Sequence, residues 1–338
     1  MAQSAETTTT EETRRAWHDA NVKPLWEVYP THAAEERSST LWPWRTMLPM
    51  IEHACTLASP EIVERRALSL IAPDAKPGEF HTINNLNAAF QIILPGEVAR
   101  PHRHSMDALR FVLDGSGAIT RVDGKDAPMM RGDLVLTPGW SWHEHWHEGN
   151  APIIWLDVLN AHAHLKLDTF VFEPGPPHDV PALPPDGAFS AGGLLPDVAA
   201  TRFSPIFRYP LADMLRALEG APKAADGSRR VRYVNPLDGG SVMPLLDCWM
   251  FRLETGQKTV PFRTSAHGVC VVVDGRGSTR VGTSSIEWET SDVFTLPHGM
   301  WTEHCASETS TVFVASDREL YRRLNLLTDE YAVAGPAG

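Results

Sequence analysis

One stretch of the chain is written twice. GEVARPHRHSMDALRFVLDGSG, starting at Gly96, lies in register with GQKTVPFRTSAHGVCVVVDGRG, starting at Gly256, and Gly, Pro, Arg, Ser, Val, Asp-Gly and Gly recur at the same places. Further on, GDLVLTPGWSWHEH from Gly132 matches SDVFTLPHGMWTEH from Ser291 after a register change of one residue. A module repeated in this way folds as two copies of one supersecondary unit. Each copy consists of short apolar runs separated by Gly, Pro and Asp, the pattern of many short antiparallel strands in a small barrel or jelly roll. The chain is therefore predicted to be dominated by β structure and duplicated.

The remaining text sets the boundaries. Residues 1–15 are Thr/Glu-rich and expected to be disordered, and residues 16–80 form a helical or irregular N-terminal extension. Trp17, Trp26, Trp42 and Trp44 in that extension are expected to pack it onto a core. Ser59-Pro60-Glu61 reads as a helix start, with Ser as N-cap and Pro in the first turn, the helix running through Glu64-Arg65-Arg66 to about Leu70. The first barrel is assigned to residues 81–173. A Pro/Gly/Ala-rich linker at 174–235 follows, with a short helical pattern near Pro210 to Glu219. The second barrel takes 236–316, and residues 317–338 form a C-terminal helix and tail, with Leu320, Leu324 and Leu327 at helical spacing.

Composition limits the partners. The 338 residues are 43% hydrophobic and 21% charged, ordinary values for a globular chain. A formal charge of -12 argues against binding nucleic acid or an anionic membrane surface through the general field, so an anionic ligand must be held by local arginines. Cys55, Cys248, Cys270 and Cys305 are far apart with no CxxC pair, which fits a reducing cytoplasm rather than a disulfide framework or a thiolate zinc site. The polar N-terminus has no apolar signal region, and no run of about 20 apolar residues occurs, so neither export nor a membrane span is expected.

The chemistry concentrates in the first copy. His102 and His104 form an HxH pair, and on a strand residues i and i+2 face the same side, so both can point into the barrel and share one ion. His143 follows the Pro138 strand as a third ligand, and neutral imidazoles suit iron, copper, nickel or zinc. The same parity turns Arg110 inward. An arginine beside a metal inside a barrel is costly unless it meets an anion: either a bound substrate, or an internal acid such as Asp157. His145, two residues beyond His143, is a support for the metal ligands or a general acid/base. His147, His162 and His164 read as solvent-facing or structural. In the second copy the ligand positions hold Phe262, Thr264 and Thr302, so that barrel is expected to bind no metal, with His304 a remnant of the repeat. His267 and His298 stand near the ligand positions without occupying them.

Gly-x5-His-x-His together with Gly-x5-Pro-x4-His resembles the two motifs of the cupin superfamily, implying a double cupin of two jelly-roll barrels. Most metal-binding cupins carry a Glu four or five residues after the second His, where this chain has Ala108 and Leu109. HRHSMDALRFVLDGSG, GDLVLTPGWSWHEH and VNPLDGG followed by a degenerate second cupin resemble the gentisate 1,2-dioxygenase family, which includes salicylate and 1-hydroxy-2-naphthoate 1,2-dioxygenases. The resemblance implies Fe(II) held by His102, His104 and His143, chelated by a 2-hydroxybenzoate through carboxylate and hydroxyl, with dioxygen alongside and cleavage between the carbons bearing those groups. It also implies a homotetramer. Arg110, His145 and an arginine of the Arg65-Arg66 pair, taken as Arg66, map onto substrate-contacting positions, with Gln91 and Asp157 beside them. For Arg66 a helix-surface salt bridge is the alternative. Trp146 departs from the family pattern and is expected to reshape the pocket, leaving the ring substituent open among gentisate, salicylate, halo- or nitrosalicylates and hydroxynaphthoate.

Two other functions compete on sequence: a non-catalytic cupin that binds a small aromatic carboxylate, and a non-oxidative metal-dependent isomerase or hydrolase.

Overall fold

The computed structural model describes residues 10–25, 37–63, 65–180 and 182–332, so Trp26 and Glu64, named above, lie outside the described residues. Residues 1–36 and 37–338 form separate units. In the first, helix α1 (Glu11–Asp19) covers part of the stretch expected to be disordered. Its start is set locally: the Thr10 hydroxyl accepts from the Thr13 N–H at 3.3 Å, and Glu11 and Glu12 sit at the positive end of the helix dipole. Trp17 lies on this helix, where no residue is fully buried.

The second unit begins with β1 (Leu41–Trp42) and helix α2 (Trp44–Leu57), followed by one short turn of helix, α3 (Pro60–Val63). The helix expected to reach Leu70 therefore stops early. Ala67–Leu70 pairs instead with a neighbouring strand as β2, and this tertiary pairing overrides the local helical pattern. Trp42 and Trp44 pack against the main core as expected.

The first barrel continues with β3 (Asn87–Ile93), β4 (Val98–His104), β5 (Ala108–Asp114), β6 (Ser116–Val122), β7 (Lys125–Met130), β8 (Leu134–Thr137), β9 (His143–His147) and β10 (Ile153–Leu159). Helix α4 (Ala161–Lys166), β11 (Phe172–Pro174), β12 (Arg208–Tyr209) and helix α5 (Leu211–Gly220) lead to the second barrel. That barrel comprises β13 (Arg229–Arg232), β14 (Asp247–Leu253), β15 (Phe262–Thr264), β16 (Gly268–Asp274), β17 (Arg276–Val281), β18 (Ser284–Glu289), β19 (Val293–Leu296), β20 (Thr302–Ala306) and β21 (Ser310–Ser316). Helix α6 (Arg318–Arg323) is shorter than expected, and the tail returns as β22 (Asp329–Tyr331) beside β15.

The duplication holds at the level of sheet order. The large sheets run β12-β8-β5-β10-β3-β2 and β1-β19-β16-β21-β14-β13, and the small ones β11-β4-β9-β6-β7 and β22-β15-β20-β17-β18. The edge of each large sheet is supplied from outside its own repeat: β12 comes from the linker, β1 from the N-terminal extension. The recurring Asp of the Gly-Asp turn explains how these segments are held. Asp133 accepts from the Leu211 N–H at 3.1 Å and so caps α5, while Asp292 accepts from the Trp44 N–H at 2.7 Å and caps α2.

β5 is buried on both faces, which explains its near-continuous apolar text. Leu109, Phe111 and Leu113 join the core shared with the second barrel, where Phe111 stacks on Phe313 with ring centroids 4.4 Å apart. Val112 faces the opposite way, into the first barrel with Ile93, Val135 and Trp155. The Asp-Gly turn after β5 requires its glycine. Gly115 has φ +84°, and a Cβ there would collide with the Pro152 carbonyl; its repeat counterpart Gly275, at φ +94°, would meet the Thr309 carbonyl.

Candidate metal centre

β9 alternates strictly, with His143, His145 and His147 buried and Glu144 and Trp146 partly exposed. β4 carries a register shift against β9 between Ala99 and His102, which sets His102 directly across from His143. The three expected ligands converge: nitrogens from His102, His104 and His143 all lie within 4.8 Å of one another.

Each ring is held from behind. Nδ1 of His102 is 2.9 Å from the Arg100 carbonyl, Nδ1 of His104 2.9 Å from the Met106 carbonyl, and Nδ1 of His143 3.0 Å from the Ser141 carbonyl. A carbonyl only accepts, so Nδ1 carries the proton and Nε2 presents its lone pair. All three Nε2 atoms are buried without a hydrogen-bond partner. An orphaned polar atom inside a barrel is unfavourable, and three of them aimed at one point fit a metal ion. Burial, then the Arg65 charge, pushes His102 down to about 2 and His104 to about 3. Burial also holds His143 well below the usual range. The ligands are therefore neutral across the physiological range, the form that binds a cation.

Around them sits a charged lining. Arg110, 1% exposed, has Nε 2.9 Å from Asp157 Oδ1, an ion pair by distance although its N–H is not aimed along that line. It also donates to the Thr137 hydroxyl. Trp155 Nε1 donates to the other oxygen of Asp157 at 3.1 Å. Asp157 is thus the internal acid that meets Arg110, and this leaves the rest of the guanidinium beside the histidines. His145 is fully buried, its Nδ1 2.8 Å from the Thr120 hydroxyl and its Nε2 without a partner. Burial, followed by the charges of Arg110 and Arg65, holds it well below the usual imidazole range. Gln91, 2% exposed, pairs across β3 and β10 with Trp155 and shares the interior parity of Ile93.

Two expected site residues are corrected. Trp146 faces away from the barrel: its indole N–H donates to Glu148 at 2.7 Å, and the Arg121 guanidinium lies 4.7 Å from its ring centroid. Strand parity, which brings His143 and His145 inside, puts Trp146 outside. Arg66 is engaged elsewhere, making two bonds of 3.0 and 2.6 Å to Glu97 and donating Nε to the Ala58 carbonyl. Its neighbour Arg65 is the arginine at the site, a residue the sequence reading passed over. The guanidinium of Arg65 is 5.8 Å from the ring centroid of Phe172, which itself stacks on His102 at 5.2 Å. The signal existed in the Arg65-Arg66 pair, but the choice between the two depends on Glu97.

His147 is structural, its ring bonded to the Ala151 carbonyl at 2.6 Å and to the Gly149 N–H at 3.0 Å. In the second barrel Phe262, Thr264 and Thr302 stand at the ligand positions, and the three-histidine group in the first barrel is the one such cluster among the described residues. With three neutral imidazoles, two guanidiniums and one carboxylate, the first-barrel site is cationic before any metal binds, a setting for an anionic substrate.

Comparison with known proteins agrees with this geometry. The Cupin domain family model matches residues 89–159. Gentisate 1,2 dioxygenase 1 of Aquipseudomonas alcaligenes is 36% identical over 91% of this chain and 91% of its own length. The 5-aminosalicylate 1,2-dioxygenase of a Comamonas species is 33% identical over 94% of this chain and 89% of its own. The crystal structure of salicylate 1,2-dioxygenase from Pseudoaminobacter salicylatoxidans with gentisate superposes with a TM-score of 0.89 at 30% identity, covering 98% of this chain and 97% of that one.

Proposed function

Because the chain belongs to the gentisate 1,2-dioxygenase family of ring-cleaving double cupins, we propose that it binds Fe(II) on His102, His104 and His143 and opens a 2-hydroxybenzoate between its carboxylate- and hydroxyl-bearing carbons. The observation that carries the metal assignment is the set of three buried, partnerless Nε2 atoms aimed at one another. A site of three neutral nitrogens with no carboxylate suits a borderline divalent ion, and bound iron would supply the redox chemistry and open positions that joining an aromatic acid to dioxygen requires.

The protein's own residues bind and orient. Arg65 and Arg110 supply positive charge for the substrate carboxylate, with Asp157 and Thr137 fixing the Arg110 guanidinium. His145 holds or takes a proton at Nε2. Thr120 can donate its hydroxyl hydrogen to Nδ1 or accept from it, so either tautomer of His145 is supported. Phe172, stacked on His102, shields the ligands from water on the β11 side.

The substrate lies within the set gentisate, salicylate, 5-substituted salicylates and 1-hydroxy-2-naphthoate. With Trp146 on the outer face, the ring substituent is read by the interior positions instead, Gln91 among them. The four free cysteines fit a reducing cytoplasm, and a homotetramer is the assembly expected from the family. An oxygen-electrode panel of gentisate, salicylate, 5-aminosalicylate and 1-hydroxy-2-naphthoate tests the reading. One dioxygen consumed per ring opened supports it, and no oxygen uptake with any of the four refutes it.

A further inference from the structure

The second barrel is not filled. A cavity of about 230 Å³ lies where the first barrel carries its histidines. Phe262, Thr264 and His304 line it at the repeat positions of His102, His104 and His145, and buried Phe251, Leu296 and Val314 stand where the first barrel has Gln91, Thr137 and Asp157. The chamber that is polar in the first barrel thus has an apolar, aromatic floor in the second.

The mouth has the opposite character. Five of the lining residues are arginines, each held by a carboxylate: Arg230 by Asp226, Arg232 by Asp247, Arg263 by Glu330, Arg318 by Asp329 and Arg322 by Glu319. Arg230 and Arg232 sit on one face of β13, opposite Phe251 and Trp249 of β14, at positions that in the first barrel hold Ala67 and Ser69. One nitrogen of Arg230 pairs with buried Asp226, and its guanidinium lies 5.7 Å from the Trp249 ring centroid. Its Nε is buried without a hydrogen-bond partner, so the arginine is positioned with a donor to spare. His304 repeats the arrangement of His145, with Nδ1 2.8 Å from the Thr279 hydroxyl, and burial lowers it to about 4, so it is neutral.

We propose that the second barrel is a metal-free binding site for a small aromatic carboxylate of single-ring size, its ring against Phe251 and Phe262 and its carboxylate on Arg230. The volume lies just below the roughly 300–1,000 Å³ common for small-molecule pockets, which excludes larger acids. An apolar floor favours a ring over a bare inorganic anion, and the donor capacity that Asp226 leaves unused on Arg230 favours an acid over a neutral ring. This site is independent of the iron and of the oxygenase reading.

Benzoate, which lacks the hydroxyl needed to chelate a metal, is the probe. Binding is followed by anaerobic calorimetry on the iron-loaded protein and on Arg230→Gln, Arg230→Lys and Leu296→Trp, with circular dichroism as the folding control. The proposal expects Arg230→Gln to weaken one binding event at least tenfold, Arg230→Lys to weaken it less, and Leu296→Trp, which fills the cavity, to remove it. Benzoate binding unaffected by Arg230→Gln or by Leu296→Trp overturns the proposal, as does no binding up to about 10 mM, a free energy of roughly -3 kcal/mol. Should Arg230→Gln fail to fold, the Lys and Leu296→Trp variants decide alone. Oxygen uptake does not enter the readout, so failure here leaves the oxygenase reading untouched.

Discussion

Arg110 and Asp157 face each other across β5 and β10 inside the first barrel, Nε to Oδ1 2.9 Å, with both side chains almost wholly withdrawn from water. The pair holds a guanidinium beside the histidines that burial alone would disfavour, since burial is the main influence lowering its proton affinity. Removing the acid strands the cation. Asp157→Asn is expected to destabilise the protein by about 3 kcal/mol, the cost typical of breaking a buried ion pair, and to lower kcat/KM; chemical denaturation and steady-state kinetics check both.

Arg65 and Arg66 should separate cleanly. Arg65→Gln is expected to raise KM for the 2-hydroxybenzoate about tenfold or more with little loss of stability, as for removal of one charge-assisted contact. Arg66→Gln should do the reverse, lowering stability by about 2 kcal/mol through the broken Glu97 pair while KM stays within about twofold. A KM effect confined to Arg66→Gln would return the substrate contact to that residue.

The same pair sets a pH dependence. Burial pushes the Glu97 carboxyl up, but the Arg66 bonds and the Leu94 N–H outweigh it and hold the group below its ordinary 4.5. A carboxyl depressed in the folded state stabilises fully above the unfolded value and loses that contribution as pH falls through the folded one. Glu97→Gln should therefore narrow the gap in melting temperature between pH 7 and pH 4, measured by calorimetry against the parent protein.

The Thr120 hydroxyl is hydrogen-bonded to His145 Nδ1 at 2.8 Å and to the Met129 sulfur at 3.1 Å. Thr120→Val keeps the shape and removes the partner of Nδ1. It is expected to lower kcat about tenfold and move the kcat pH profile while iron content stays at the parent level, the behaviour of a positioning residue. Unchanged kcat would leave His145 without a role in proton handling.

Much of this was legible in the sequence because two rules, repetition and strand parity, act locally. His102, His104, His143 and His145 follow from i, i+2 spacing on strands that the duplication marks as strands. The same parity should have placed Trp146 outside the barrel, and the resemblance to a family motif obscured it. What was not legible depends on distant partners. Arg65 and Arg66 differ only in which reaches Glu97, far along the chain, and Ala67–Leu70 becomes a strand only because β3 offers it an edge. Helix α2 escaped notice because Pro49 lies within it and its N-terminal cap, Asp292, comes from the other barrel. The cavity in the second barrel could not be seen at all, since lost ligands in a sequence look the same whether packing fills the space or leaves it open.

The most direct test of the central claim is anaerobic titration of the metal-free protein with Fe(II), read as iron bound per chain and as oxygen uptake with salicylate or gentisate. One iron per chain is expected for the parent protein, and neither iron nor oxygen uptake for His102→Ala, His104→Ala and His143→Ala. Iron-supported oxygen uptake surviving in any of the three, in a folded variant, would contradict that claim.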